Sequence, residues 1–219
     1  MQRLFFYNIL LFFISTTSFC QNPALKWENE VKSYEAQDSI KGISTNGILF
    51  TGSSSIRLWN DLPERFSGEK VLNRGIGGSE ISDLIFYADR LIFPYKPQKI
   101  FIYCGGNDVW NGKSPEIVLE DFKTLYARIK QKLPKTEIYY ISIQSAPSRE
   151  EKNALFRRAN EQIKAYLEHN TRDVFIDVFP LLLGQDRKPK AEFFLDDQLH
   201  MNSKGYDRWT RVLKAYVKK

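Results

Sequence analysis

Cysteine is nearly absent: the 219 residues hold Cys20 and Cys104 and no others. Two thiols build no disulfide framework and no paired-cysteine metal knuckle, so stability must come from a buried core. Histidine is as sparse, at His169 and His200. That excludes a His-rich metal cluster and leaves two candidates for proton transfer near neutral pH. Basic runs are missing too. Lys+Arg 32 against Asp+Glu 26 gives a formal net charge of +6, but the positive residues are scattered and form no block of roughly five or six, so charge does not point to nucleic acid. There is no P-loop, and no apolar run approaches the ~20 residues that a membrane-spanning helix needs.

What is present begins with Arg3 and an apolar run from Leu4 to Ile14, interrupted by Tyr7 and Asn8 and followed by small and polar residues. This pattern predicts a signal peptide over residues 1–20 and a periplasmic or secreted protein. Cleavage after Cys20 places Ser18 and Cys20 where the peptidase takes small side chains and leaves Gln21 first. Lipidation of Cys20 is the alternative; it would put Phe19 where that processing takes Gly, Ala or Ser. Residues 21–44 read as a polar lead-in and residues 45–219 as one domain, long enough to bury a core alone.

Within that domain, short β-rich runs alternate with amphipathic ones. Ile48 to Thr51, Val71 to Asn73, Lys99 to Tyr103, Glu137 to Ile143 and Val174 to Val178 are mostly continuous apolar runs, as strands covered on both faces require. Ile81, Leu84, Ile85, Leu91 and Ile92 mark one helix face, and Phe122, Leu125, Tyr126, Ile129 and Leu133 another. Ser79 and Ser114 are suited to cap these two helices, with Pro115 at a first helical position. Further helices are expected from Arg149 to Glu168 and from Ser203 to the end. The predicted fold is a three-layer α/β/α sandwich on a mainly parallel five-stranded sheet.

In such a sheet ligands bind beyond the carboxyl ends of the strands, so the loops there matter most. Gly52-Ser53-Ser54-Ser55 offers hydroxyls at a strand-to-helix turn, where backbone N–H groups face a developing oxyanion, although a serine-rich helix cap would look the same. Gly75-Ile76-Gly77-Gly78 is no dinucleotide fingerprint, because Glu80 stands where that motif needs glycine. Gly78 instead suits close approach of backbone to a ligand, or a tight turn. Asn107, in Gly105-Gly106-Asn107-Asp108, can donate its neutral amide to an oxyanion or simply serve the turn. His200 follows Asp197 by three residues, a spacing that brings carboxylate and imidazole to one side; capping of the last helix is the competing role. His169 reads as a surface residue near a helix C-terminus.

Taken in order, these four settings resemble the blocks of the SGNH/GDSL hydrolases. Gly105 to Asp108 and Asp197 to His200 match fully, Gly75 to Gly78 matches well, and the likeness spans the chain from Gly47 to the last helix. The stretch from Gly52 to Trp59 is similar to exported platelet-activating-factor acetylhydrolase-like and lysophospholipase L1-like esterases. The first block departs from the family, since Ser53 stands where aspartate is usual. The resemblance implies a flavodoxin-like SGNH fold and a serine esterase for short acyl, especially acetyl, esters on small molecules or glycans. It implies a nucleophile at Ser54, in a register set by Gly52, with Ser53 and Ser55 as neighbours that could cap the helix. His200 would be the base and Asp197 its orienting group. Oxyanion donors would come from Ser54, Gly78 and Asn107. No metal or other cofactor is implied. Arg74, Trp59 and Trp110, beside the motif loops, are candidates for a substrate rim or for packing. A non-catalytic carbohydrate-binding relative and an acyltransferase using the same residues are the alternatives.

Overall fold

The computed structural model describes residues 23–168 and 173–218. The expected signal peptide and His169 lie outside the described residues. Five strands, β1 (Ile48–Gly52), β2 (Val71–Gly75), β3 (Lys99–Tyr103), β4 (Glu137–Ile141) and β5 (Val174–Ile176), form one sheet in the order β2-β1-β3-β4-β5. Every pairing is parallel, with Ile48 opposite both Val71 and Lys99, Lys99 opposite Glu137, and Tyr139 opposite Val174. The helices are α1 (Glu28–Lys41), α2 (Ser54–Arg57), α3 (Leu62–Arg65), α4 (Ile81–Leu91), α5 (Gly106–Trp110), α6 (Pro115–Lys132), α7 (Asn153–Leu167) and α8 (Ser203–Val217).

Side chains of successive strand residues point to opposite faces, and here they feed two separate cores. Leu49, Ile100, Ile102, Ile138 and Tyr140 join Leu84 of α4, Phe122 of α6 and Phe156 of α7 on one face. Phe50, Phe101, Tyr139 and Ile141 join Trp59, Leu62 of α3 and Trp209 of α8 on the other. Across that second face Phe50 stacks on Phe101 and Phe101 on Tyr139, with ring centroids 4.5 and 4.6 Å apart. The three-layer α/β/α architecture is the one the sequence pattern predicts.

Three local expectations change. The polar lead-in contains α1, whose one buried residue is Val31; it is tied down mainly by charge, with Glu28 and Glu35 on Arg90 and Asp38 on Arg74. Ser79 does not cap α4. Glu80 does, exchanging bonds reciprocally with Asp83, while Ser79 is buried beneath the loop. Ser114 caps α6 as expected, accepting from the Ile117 N–H. The single helix expected from Arg149 starts instead as 3-10 turns over Pro147–Lys152, and Arg149 itself leaves helical geometry at φ −129°, ψ 16°.

Candidate active site

The chain passes from β1 into α2 through Gly52, which stands at φ +135° with a would-be Cβ only 2.0 Å from the Tyr103 carbonyl oxygen. No other residue fits there. The Ser53 N–H donates to that carbonyl at 2.9 Å, which anchors the turn to β3. Of the three serines, Ser53 and Ser55 are buried and Ser54 is partly exposed. Ser54 opens α2, and its Oγ lies 2.9 Å from His200 Nε2.

His200 belongs to a tight turn ahead of α8. Leu195 donates to the His200 carbonyl at 2.8 Å, Gln198 donates back to Leu195 at 2.9 Å, and Phe194 bridges Met201. Within the turn, Asp197 Oδ1 accepts from the N–H groups of Leu199 and His200, each at 2.9 Å, and Oδ2 meets His200 Nδ1 at 2.5 Å. An imidazole donating through Nδ1 presents Nε2 as an acceptor for the serine hydroxyl. Desolvation alone would raise the Asp197 carboxyl, but the His200 N–H and imidazole and the Leu199 N–H outweigh it and pull it down to about 2. The helix cap is Asn202, which accepts from the Gly205 N–H at 3.2 Å; Asp197 and His200 are therefore free of capping duty.

Asn107 sits in α5, just past β3, and donates one amide hydrogen to the Ser79 carbonyl at 2.9 Å. Its amide has a second hydrogen to give. The adjacent Asp108 is fully buried and accepts from the Ile81 N–H and from Lys113, the latter at 2.9 Å. Burial pushes its carboxyl up to about 6, with Lys113 acting against that rise. Asp108 and Asn107 thus clamp the loop after β3 to the loop after β2. Gly78, on the latter loop, has φ +72° and is exposed. Among the described residues its N–H has no acceptor, and neither has that of Ser54, whereas the Gly77 N–H is taken by Glu30 at 3.0 Å.

Ser54, Asn107 and His200 line one cleft together with Tyr103, Gln144 and Arg149. Gly78 is outside its wall, one residue from the Ser79 carbonyl that holds Asn107. Two of the candidate rim residues are elsewhere. Trp59 is fully buried among Phe50, Phe66, Tyr206 and Trp209. Arg74 is buried as well, bonded to Asp38 at 2.5 Å and to the Tyr95 hydroxyl at 2.6 Å, with its guanidinium over the rings of Tyr34 and Tyr95. Both therefore pack, and neither reaches substrate. Trp110 is 41% exposed beside Arg149. Arg149 and Gln144 escaped the sequence reading although both follow β4, at the carboxyl edge where ligands bind; an apolar strand assignment running to Ile143 and an assumed helix from Arg149 masked that loop.

Comparison with known proteins bears on family and fold. The family described as GDSL-like lipase/acylhydrolase matches residues 44–208. A candidate platelet activating factor protein from Streptococcus pneumonia is 28% identical, with 89% of this chain and 94% of that one covered and a TM-score of 0.73. A GDSL-like lipase from Bacteroides thetaiotaomicron gives 20% identity, 86% and 97% coverage and a TM-score of 0.73. An acetylxylan esterase from Geobacillus stearothermophilus gives 15%, 81% and 96%, and 0.66. No curated protein matches the chain. With a family match over three quarters of its length and a sheet in the same architecture, this chain belongs to the GDSL-like lipase/acylhydrolase family.

Proposed function

We propose that the protein is an exported serine ester hydrolase that removes short acyl groups, acetyl foremost, from small-molecule or glycan esters. The observation that carries this reading is the continuous hydrogen-bonded chain from Ser54 Oγ through His200 to Asp197, at 2.9 and 2.5 Å. His200 Nε2 takes the hydroxyl proton as Oγ attacks the ester carbonyl. The oxyanion receives the N–H groups of Ser54 and Gly78 and the free amide hydrogen of Asn107, each such donor contributing ~3 to 4 kcal/mol to the transition state. His200 then returns the proton to the leaving alcohol, and water, deprotonated by the same imidazole, releases the acid from the acyl-enzyme.

Acetyl specificity is supported by the likeness to an acetylxylan esterase, and export by Arg3 and the apolar run behind it. The test is hydrolysis of 4-nitrophenyl acetate. Ser54→Ala and His200→Ala should each lower kcat at least ~1000-fold, while Ser53→Ala retains activity. A Ser54→Ala variant as active as the parent would reject the reading. Protein recovered from the cell envelope should begin at Gln21.

A further inference from the structure

Arg149 is a guanidinium in the cleft with no counterion among the described residues. Arg57, Arg65, Arg74, Arg90, Arg128 and Arg158 each meet a carboxylate. Arg149 meets none among the described residues, although it is only partly exposed and lines the same cleft as Ser54 and His200. Its neighbour Glu150 turns away to Lys188. Desolvation lowers the pKa of Arg149, and the Tyr103 hydroxyl is what opposes that shift.

Its position is built by the backbone. Arg149 breaks helical geometry within the 3-10 turns that precede α7, and the Ser148 N–H ties that turn to the Gln198 carbonyl, in the loop that carries His200. The guanidinium carbon lies over the Trp110 ring, 5.1 Å from its centroid, and Nη1 lies 3.8 Å from where a Cβ on Gly106 would stand. A guanidinium stacked on a ring by one face keeps its N–H edges free, and those edges match the two oxygens of a carboxylate. Placing such a cation in a cleft costs desolvation that an incoming anion can offset.

We propose that Arg149 is a specificity-determining residue that pairs with a carboxylate on the ester substrate, so that the preferred substrates are short acyl esters of acidic compounds such as uronate-type sugars. This rests on the ester hydrolase reading for its kinetic arm only. Two matched pairs test it: 4-acetoxybenzoate against its methyl ester, with the charge on the leaving group, and mono-4-nitrophenyl succinate against 4-nitrophenyl butyrate, with the charge on the acyl group. In at least one pair the parent enzyme should favour the anion in kcat/KM. Arg149→Gln should cut that anion-to-neutral ratio roughly 10- to 100-fold, the range of a hydrogen bond to a charged group. Arg149→Lys should restore part of it, and added salt should erode it. A ratio of one or below in both pairs, or a ratio that Arg149→Gln leaves alone, overturns the proposal. So does a stronger preference for 4-acetoxyphenyl phosphate, which would make the anion a phosphate.

Direct binding separates the two readings. Calorimetry on Ser54→Ala should find the carboxylate bound more tightly than its methyl ester, and the added Arg149→Gln should abolish the difference. Selective binding without any ester turnover would sink the hydrolase reading and keep the anion site. Serine-dependent turnover with equal binding of the two would do the reverse.

Discussion

The Asp197 carboxylate is placed to fix one tautomer of one ring. Its Oδ1 is spent on two backbone N–H groups, so the turn holds it rigid, and Oδ2 is left for His200 Nδ1. Because the same bonds hold the carboxyl at about 2, it stays ionised from mildly acidic pH upward. Asp197→Asn keeps the geometry but can donate where it should accept, which turns the ring to the wrong tautomer; kcat for 4-nitrophenyl acetate should fall by roughly 1000- to 10000-fold with the far-UV circular dichroism unchanged. This pair was legible in the sequence because three residues within a turn place two side chains together whatever the rest of the fold does. Three consecutive serines do not by themselves mark a nucleophile; Ser54 comes from the register that the resemblance sets at Gly52, and in the structure Ser53 and Ser55 are enclosed while Ser54 meets the imidazole. Trp59 and Arg74 misled for the complementary reason: proximity in sequence to a functional loop says nothing of which way a side chain points, and both point into the protein.

The first helix shows how an element can serve the site from a distance. Glu30, on α1, accepts from the Gly77 N–H at 3.0 Å and pairs with Arg57 at the end of α2. One carboxylate thereby ties the loop carrying Gly78 to the helix that begins at Ser54, while the Tyr34 hydroxyl donates to the Gly75 carbonyl at 2.6 Å a few residues earlier. Glu30→Ala should free the loop and, if the Gly78 N–H is an oxyanion donor as proposed, let that donor drift. Since ~1.4 kcal/mol is a factor of ten in rate, and a hydrogen bond to a charged group supplies ~1.5 to 3, kcat should drop roughly tenfold. KM should change little, and Glu30→Gln, which still accepts through its amide oxygen, should recover most of the rate. Fold loss would lower the folded fraction at constant KM and kcat per active site, so titration of active sites with a serine-directed phosphonate distinguishes the two. The five strands were readable as apolar runs, and α4, α6 and α8 from their helical period, although β4 ends at Ile141, β5 at Ile176 and α7 begins only at Asn153. The first helix was not, because a helix held by Glu28, Glu35 and Asp38 on arginines carries no apolar stripe for the eye to follow.

At the scale of the whole molecule, five parallel strands separate two cores that share no side chain yet share every strand. Phe122 lies in the core under α4, α6 and α7, and Trp209 in the core under α2, α3 and α8; both are fully buried. The motif loops leave the sheet between those layers, so Ser54 is carried by a helix of the second layer, while Asn107 is clamped to the loop ahead of α4 and Asp108 to the first residue of α4 in the first. If the cores were independent, loosening one would leave the other's half of the site standing but misaligned. The sheet argues otherwise: β1, β3 and β4 each bury alternate residues in both cores, so neither can melt without stranding half of every central strand in water. Phe122→Ala and Trp209→Ala should therefore each cost ~3 to 5 kcal/mol and move the same single transition in urea, followed alike by tryptophan fluorescence, far-UV circular dichroism and residual esterase rate. Two separated transitions, with Trp209→Ala shifting one and Phe122→Ala the other, would show that the sheet does not couple the layers, and the site would then have to be held by its own loop contacts: Ser53 on Tyr103, Asn107 on Ser79 and Asp108 on Ile81.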